Sequence, residues 1–177
     1  MTPRDMPIVR SYWEAQVKLL NPVPWLATVG GMGTHLKEGT IQSLIYAALG
    51  ALETSFVYPP GRTQCAASVL TVQGNVFSAG SYFSASHTLT VHAEQAALVH
   101  AAAHGEPLID AIAIVCAGTS KRVDGFTRPC GLCRQIIHEN SLQNGGADIQ
   151  VIMCNPDGSY TIQTIAELMP KAWPEKA

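Results

Sequence analysis

The spacing of apolar and polar positions divides this chain into a regular series of elements. Ile41, Leu44, Ile45, Ala48, Leu49 and Leu52 recur at helical spacing, which predicts a helix over 41–54 with Thr40 as its cap. Tyr58-Pro59-Pro60-Gly61 stops it. The run from Cys65 to Val72 predicts a buried strand, and Gly74-Asn75 a turn into a second strand near 76–79. A helix is expected from about Thr90 to His104, closed by Gly105. Ile112, Ala113, Ile114 and Val115 mark a strand over 110–117. A helix from Cys130 to about Glu139, a strand over 149–154, a turn at Asp157-Gly158 into 160–163 and a helical turn at 165–169 complete the series. Strands and helices alternating in this way predict a three-layer α/β/α domain around a mixed, five-stranded sheet.

Residues 1–39 follow a different pattern and are expected to form an N-terminal extension to a catalytic domain at 40–177. Val9 to Leu20 suits one short amphipathic helix, Asn21-Pro22-Val23-Pro24-Trp25 breaks it, and Gly30 to Gly39 reads as a loop. That loop has no Gly-Lys-Ser/Thr ending and no strand before it, so it is not a phosphate loop.

The composition narrows the class. Of 177 residues, 47% are apolar and only 14% charged. That balance fits one globular domain, with some apolar surface covered by a partner subunit. A formal net charge of −2 supplies no general attraction to nucleic acid. No 18-residue apolar run is present, so no membrane span is predicted. The opening segment has acids and no apolar core, unlike a secretory signal. Cysteines stand at 65, 116, 130, 133 and 154. An odd number at uneven spacing predicts no disulfide framework. Cys116 and Cys154 are expected to be buried core thiols, and a reducing cytoplasm suits all five.

Two short segments carry chemistry. His92-Ala93-Glu94 places an imidazole two residues from a carboxylate, and Pro129-Cys130-Gly131-Leu132-Cys133 places two thiols three residues apart behind a proline. One imidazole and two thiolates suit zinc and leave the fourth position open for water. Both segments fall at predicted helix starts, where free N–H groups and the helix dipole favour thiolate charge. Cys130 and Cys133 lie on one helical face. Zinc so held acidifies water, and Glu94 is expected to carry the proton. Arg134 is expected to hydrogen-bond a thiolate and temper its charge. The order of segments is the H-x-E…P-C-x-x-C signature of zinc deaminases. A closed structural clasp with a fourth protein ligand is the alternative. His100 and His104, four apart, are expected to be solvated at a helix end rather than to bind a second metal.

From about Ile41 to Trp173 the chain resembles the small homotetrameric cytidine deaminases, close to the cytidine and blasticidin types. The carriers are HAE at 92–94 and PCGLCRQ at 129–135, supported by CAASVLTVQGNVFSAG at 65–80 and DGSYTIQTIAELMPKAW at 157–173. The resemblance implies one zinc per subunit on His92, Cys130 and Cys133, Glu94 as proton shuttle, and Pro129 and Arg134 behind the ligands. It places the Ala93 backbone against the base and gives Gly131 a close approach behind the metal. His92 stands where tetrameric members usually have cysteine. The family's ribose-holding Asn-x-Glu aligns with Ser81 and Phe83, and its base-flanking phenylalanine with Thr63. Phe83 offers stacking instead, and Ser84 or Ser86 offers a neighbouring hydroxyl. Phe126 is a candidate to close over the base, and Trp173 to reach a neighbouring subunit. Arg62 with the basic stretch 119–128, including Lys121, Arg122 and Arg128, is either a solvated surface or a greeting for a phosphate or carboxylate.

The implied activity is hydrolytic deamination of a cytosine-type nucleoside in a cytoplasmic homotetramer, releasing ammonia. A nucleoside antibiotic, a modified cytidine or another amino-heterocycle is the alternative substrate. A polynucleotide substrate is disfavoured by charge. An inactive binding protein of the same fold is disfavoured by Glu94.

Overall fold

The computed structural model describes residues 36–117 and 125–175. The expected extension helix, the expected loop up to residue 35, and Lys121 and Arg122 of the basic stretch lie outside the described residues; Glu38 and Gly39, expected in the loop, instead open the first helix.

Helix α1 (Glu38–Ala51) continues into a 3₁₀ turn at Leu52–Thr54. After it come β1 (Phe56–Val57), β2 (Gln64–Thr71), β3 (Val76–Gly80) and β4 (Tyr82–Phe83). A 3₁₀ turn at His87–Leu89 leads to α2 (Ala93–Ala103), then β5 (Ile109–Ala117) and α3 (Gly131–Gln143). Strands β6 (Gln150–Cys154) and β7 (Tyr160–Thr164) and the short α4 (Ile165–Leu168) follow. The main sheet has five strands in the order β3-β2-β5-β6-β7. Only β5 and β6 run parallel; the other neighbours are antiparallel. The sheet is therefore mixed, as its sequence pattern predicts.

Strand alternation divides the core into two layers. On β5, Ile112 and Ile114 face Ala93, Ala97 and Leu98 of α2 and Ile137 of α3. Ala111, Ala113 and Val115 face the other way, onto Ile41, Leu44, Ile45 and Ala48 of α1. Small alanines on that second face let α1 lie close, and the buried Ser68 hydroxyl donates to the Leu44 carbonyl at 2.7 Å. Gly74, at φ 88°, supplies the left-handed residue of the β2–β3 turn. Among the described residues no helix is long and apolar enough to cross a membrane.

Three details differ from the sequence pattern. Helix α1 starts at Glu38 with Lys37 as its N-cap rather than Thr40, because the apolar stripe does not mark the first polar turn. A second, two-stranded parallel sheet joins β1 to β4. Cys65 and Cys116, expected as free thiols, form a disulfide. The register explains that correction: β2 and β5 set the two cysteines directly opposite each other, with Cα atoms 4.0 Å apart. Their separation of 51 residues hides the pairing from the sequence.

Candidate active site

His92 is the N-cap of α2 and Cys130 the N-cap of α3. Each side chain therefore sits where a helix leaves unpaired N–H groups. The Gln95 side-chain Oε1 accepts from the His92 backbone N–H at 3.0 Å, fixing the entry of α2. Cys130 follows β5, whose carboxyl end lies beside that of parallel β6, the usual edge for a site in such a sheet.

These elements bring three donors together. His92 Nδ1 lies 3.4 Å from Cys130 Sγ and 3.3 Å from Cys133 Sγ, and the two sulfurs are 3.6 Å apart. Ligand atoms around a tetrahedral zinc stand roughly 3.3–3.8 Å apart, given bonds of about 2.0–2.3 Å. The donor set and its spacing thus fit zinc. Among the described residues no fourth His, Cys, Asp or Glu joins the group.

Glu94 lies in the first turn of α2 and is only 6% exposed. Its carboxylate is within hydrogen-bond reach of the Cys133 thiol. Burial pushes the Cys133 thiol far above its ordinary range, and the Glu94 carboxylate and Cys130 add to the shift. A positive ion is the natural relief for two thiols and a carboxylate gathered this way.

Arg134 does not spend its described hydrogen bonds on sulfur. Nε donates to the Pro129 carbonyl and Nη1 to the Leu168 carbonyl, each at 2.9 Å. The guanidinium ties the buried turn before Cys130 to the end of α4. A Cβ at Gly131 would meet no described neighbour within 4 Å. Ala93 is fully buried in the helix-side core, and Phe126 packs against that core.

Strand β4 forms a wall beside the metal residues. Tyr82 and Val91 form an antiparallel bridge. Alternation then sets Ser81 opposite His92, and Phe83 opposite Thr90. The Ser81 side chain is buried and accepts from the Cys65 amide at 3.4 Å. Phe83 is half-buried, with the His87 ring edge-on at 5.4 Å. Gly80 makes the arrangement feasible: a Cβ there would meet the Ser55 backbone N at 2.5 Å.

Sequence patterns missed the fastening of the C-terminal tail. His138, buried on α3, is 2.7 Å from the Pro174 carbonyl, and Gln135 donates to the Trp173 carbonyl. Gln135 and His138 stand at i and i+3, on one face of α3. His100 and His104 are exposed and pack on Phe77.

The sequence matches the cytidine and deoxycytidylate deaminase zinc-binding region over residues 39–144. The chain belongs to this deaminase family. The deaminase is 36% identical to a cytidine deaminase of Halalkalibacterium halodurans over 132 residues, 75% of this chain and 92% of that one. Its fold matches the crystal structure of a cytidine deaminase from Burkholderia pseudomallei with a TM-score of 0.63 and 28% identity, covering 78% of this chain and all of the other. The structure of a Mycobacterium leprae cytidine deaminase gives a TM-score of 0.57 at 26% identity, over 73% of this chain and 96% of that one. As a member of the family, the chain is a hydrolytic deaminase with a zinc-binding region, and His92, Cys130 and Cys133 are placed to hold the metal.

Proposed function

We propose that the deaminase acts on a cytosine-type nucleoside or a close analogue. The observation that carries this is the convergence of His92, Cys130 and Cys133 with the buried Glu94 carboxylate against them. His92, Cys130 and Cys133 would hold a zinc ion, which when bound would make water a competent nucleophile near neutral pH. Glu94 takes the proton from the attacking water, passes it to the ring nitrogen of the amidine, and delivers a proton to the departing amine. Water's oxygen ends as the new carbonyl, and ammonia leaves. Arg134 and Pro129 serve by holding the Cys130 turn in place.

Ser81 and Phe83 favour a second reading within the same chemistry. The Ser81 hydroxyl is turned to the Cys65 amide, and Phe83 is apolar. A neutral ribose would find few acceptors along this strand, so a modified analogue is the rival substrate.

A homotetramer is part of the proposal. Phe56, Tyr82 and Val91 are exposed in one row across β1, β4 and the bridge, and Leu89, Leu132 and Trp173 are exposed too. Apolar patches of this kind mark surfaces for a second copy. A cytoplasmic location is the remaining part, and the Cys65–Cys116 disulfide counts against it, since reducing compartments keep such bonds open.

The test is ammonia release by zinc-loaded protein from cytidine, deoxycytidine, cytosine, N4-substituted cytidines, guanine and adenosine. Turnover of the cytosine nucleosides supports the proposal. Turnover confined to guanine or adenosine overturns it.

A further inference from the structure

Phe83 gathers two side chains that a neutral wall does not need. The Arg62 guanidinium carbon lies 5.9 Å from the centroid of its ring, and His87 meets the ring at its edge. Stacking on an aromatic face orients a guanidinium plane and leaves its N–H edge for a ligand. Among the described residues Arg62 has no ion pair and no hydrogen bond, and the His87 ring has no hydrogen bond. From Val76 through Ala93, the stretch that carries Phe83 and His87, the chain holds no Asp or Glu. It holds hydroxyls instead, at Ser84, Ser86, Thr88 and Thr90.

Position gives this cluster its meaning. Phe83 stands opposite Thr90 across the Tyr82–Val91 bridge, two residues from the metal ligand His92. Two strand residues span about 7 Å, which is the reach of a substituent on a small ring held at the metal residues. A planar fork with unspent donors matches a phosphate or carboxylate, and binds it in a bidentate manner. Sugar hydroxyls are held best by carboxylate acceptors, and residues 76–93 supply hydroxyls but no carboxylate.

We infer that Arg62 and His87, braced on Phe83, form an oxyanion subsite, so that the substrate is an amino-pyrimidine bearing a phosphate or carboxylate. The inference rests on the deaminase reading, because it uses the metal residues to place the base.

The experiment is calorimetric binding to zinc-loaded Glu94→Gln protein at low salt, with cytidine, cytidine 5′-monophosphate and a cytidine 5′-carboxylate as ligands. At least one anionic ligand is expected to bind about tenfold or more tightly than cytidine, the scale of a charged hydrogen-bonded pair. The tighter of the two names the source of the oxyanion. Arg62→Ala should bring the ratio of anion to cytidine affinity near one, and Arg62→Lys should keep part of it. Cytidine binding as tightly as both anions overturns the inference, as does a ratio unchanged in Arg62→Ala. Ammonia release by the wild type is measured in parallel. An anion preference without ammonia from any ligand upholds the subsite and refutes the deaminase reading.

Discussion

Tyr82 and Val91 exchange two backbone hydrogen bonds, Tyr82 N–H to Val91 O at 3.0 Å and Val91 N–H to Tyr82 O at 2.9 Å. This pair hangs the approach to His92 on β4, which β1 supports through Phe56 stacked on Tyr82 at 4.5 Å. The metal residue and the wall at Phe83 are thereby set by one local register. Val91→Pro removes the donor and about 1 kcal/mol of stabilisation. The expected result is a severalfold rise in KM with the fold retained by circular dichroism, while Val91→Thr behaves as wild type. An unchanged KM in Val91→Pro would free the wall from this bridge.

Arg134 joins the Pro129 carbonyl to the Leu168 carbonyl. Hydrogen bonds from a charged donor contribute about 1.5–3 kcal/mol each. Arg134→Ala should therefore lower Tm by several degrees and speed zinc loss to a chelator, because the Cys130 turn loses its brace. Arg134→Lys should recover only part, since one ammonium cannot match two nitrogens of a fork. Zinc retention equal to wild type in Arg134→Ala would contradict the bracing role.

The thiols offer a third check. Cys65 and Cys116 are bonded and Cys154 is buried. Burial pushes the Cys154 thiol up to about 12, so below that pH it stays protonated and resists alkylation. In native, metal-free protein an alkylating reagent at pH 8 should label Cys130 readily and Cys154 only after unfolding. Non-reducing peptide mapping should recover the 65–116 link. Reduction should lower stability by roughly 2–4 kcal/mol in denaturant titration. Five titratable thiols in denaturant without reductant would remove the disulfide.

The parts legible in the sequence are those with a strong local pattern. Ile112 to Val115 mark the central strand, and the spacing of Ile41, Leu44, Ile45 and Ala48 marks α1. His92, Cys130 and Cys133 are legible because metal chemistry limits residue type and spacing. What escaped depends on register or reach. Two-residue strands such as β1 and β4 have no period to detect. Cys65 meets Cys116 only through the β2–β5 pairing, and Arg134 finds its carbonyls in segments far apart in sequence. The fit of His138 to the tail likewise depends on a carbonyl, which no residue type announces.

The account turns on Glu94 carrying protons beside three metal-holding side chains. The most direct measurement is ammonia release with zinc content on the same samples, comparing wild type with Glu94→Gln. The variant should keep one zinc per chain and lose about 10²–10⁴-fold in turnover, the usual share of general acid–base catalysis. A variant that keeps zinc and releases ammonia at the wild-type rate would contradict the account.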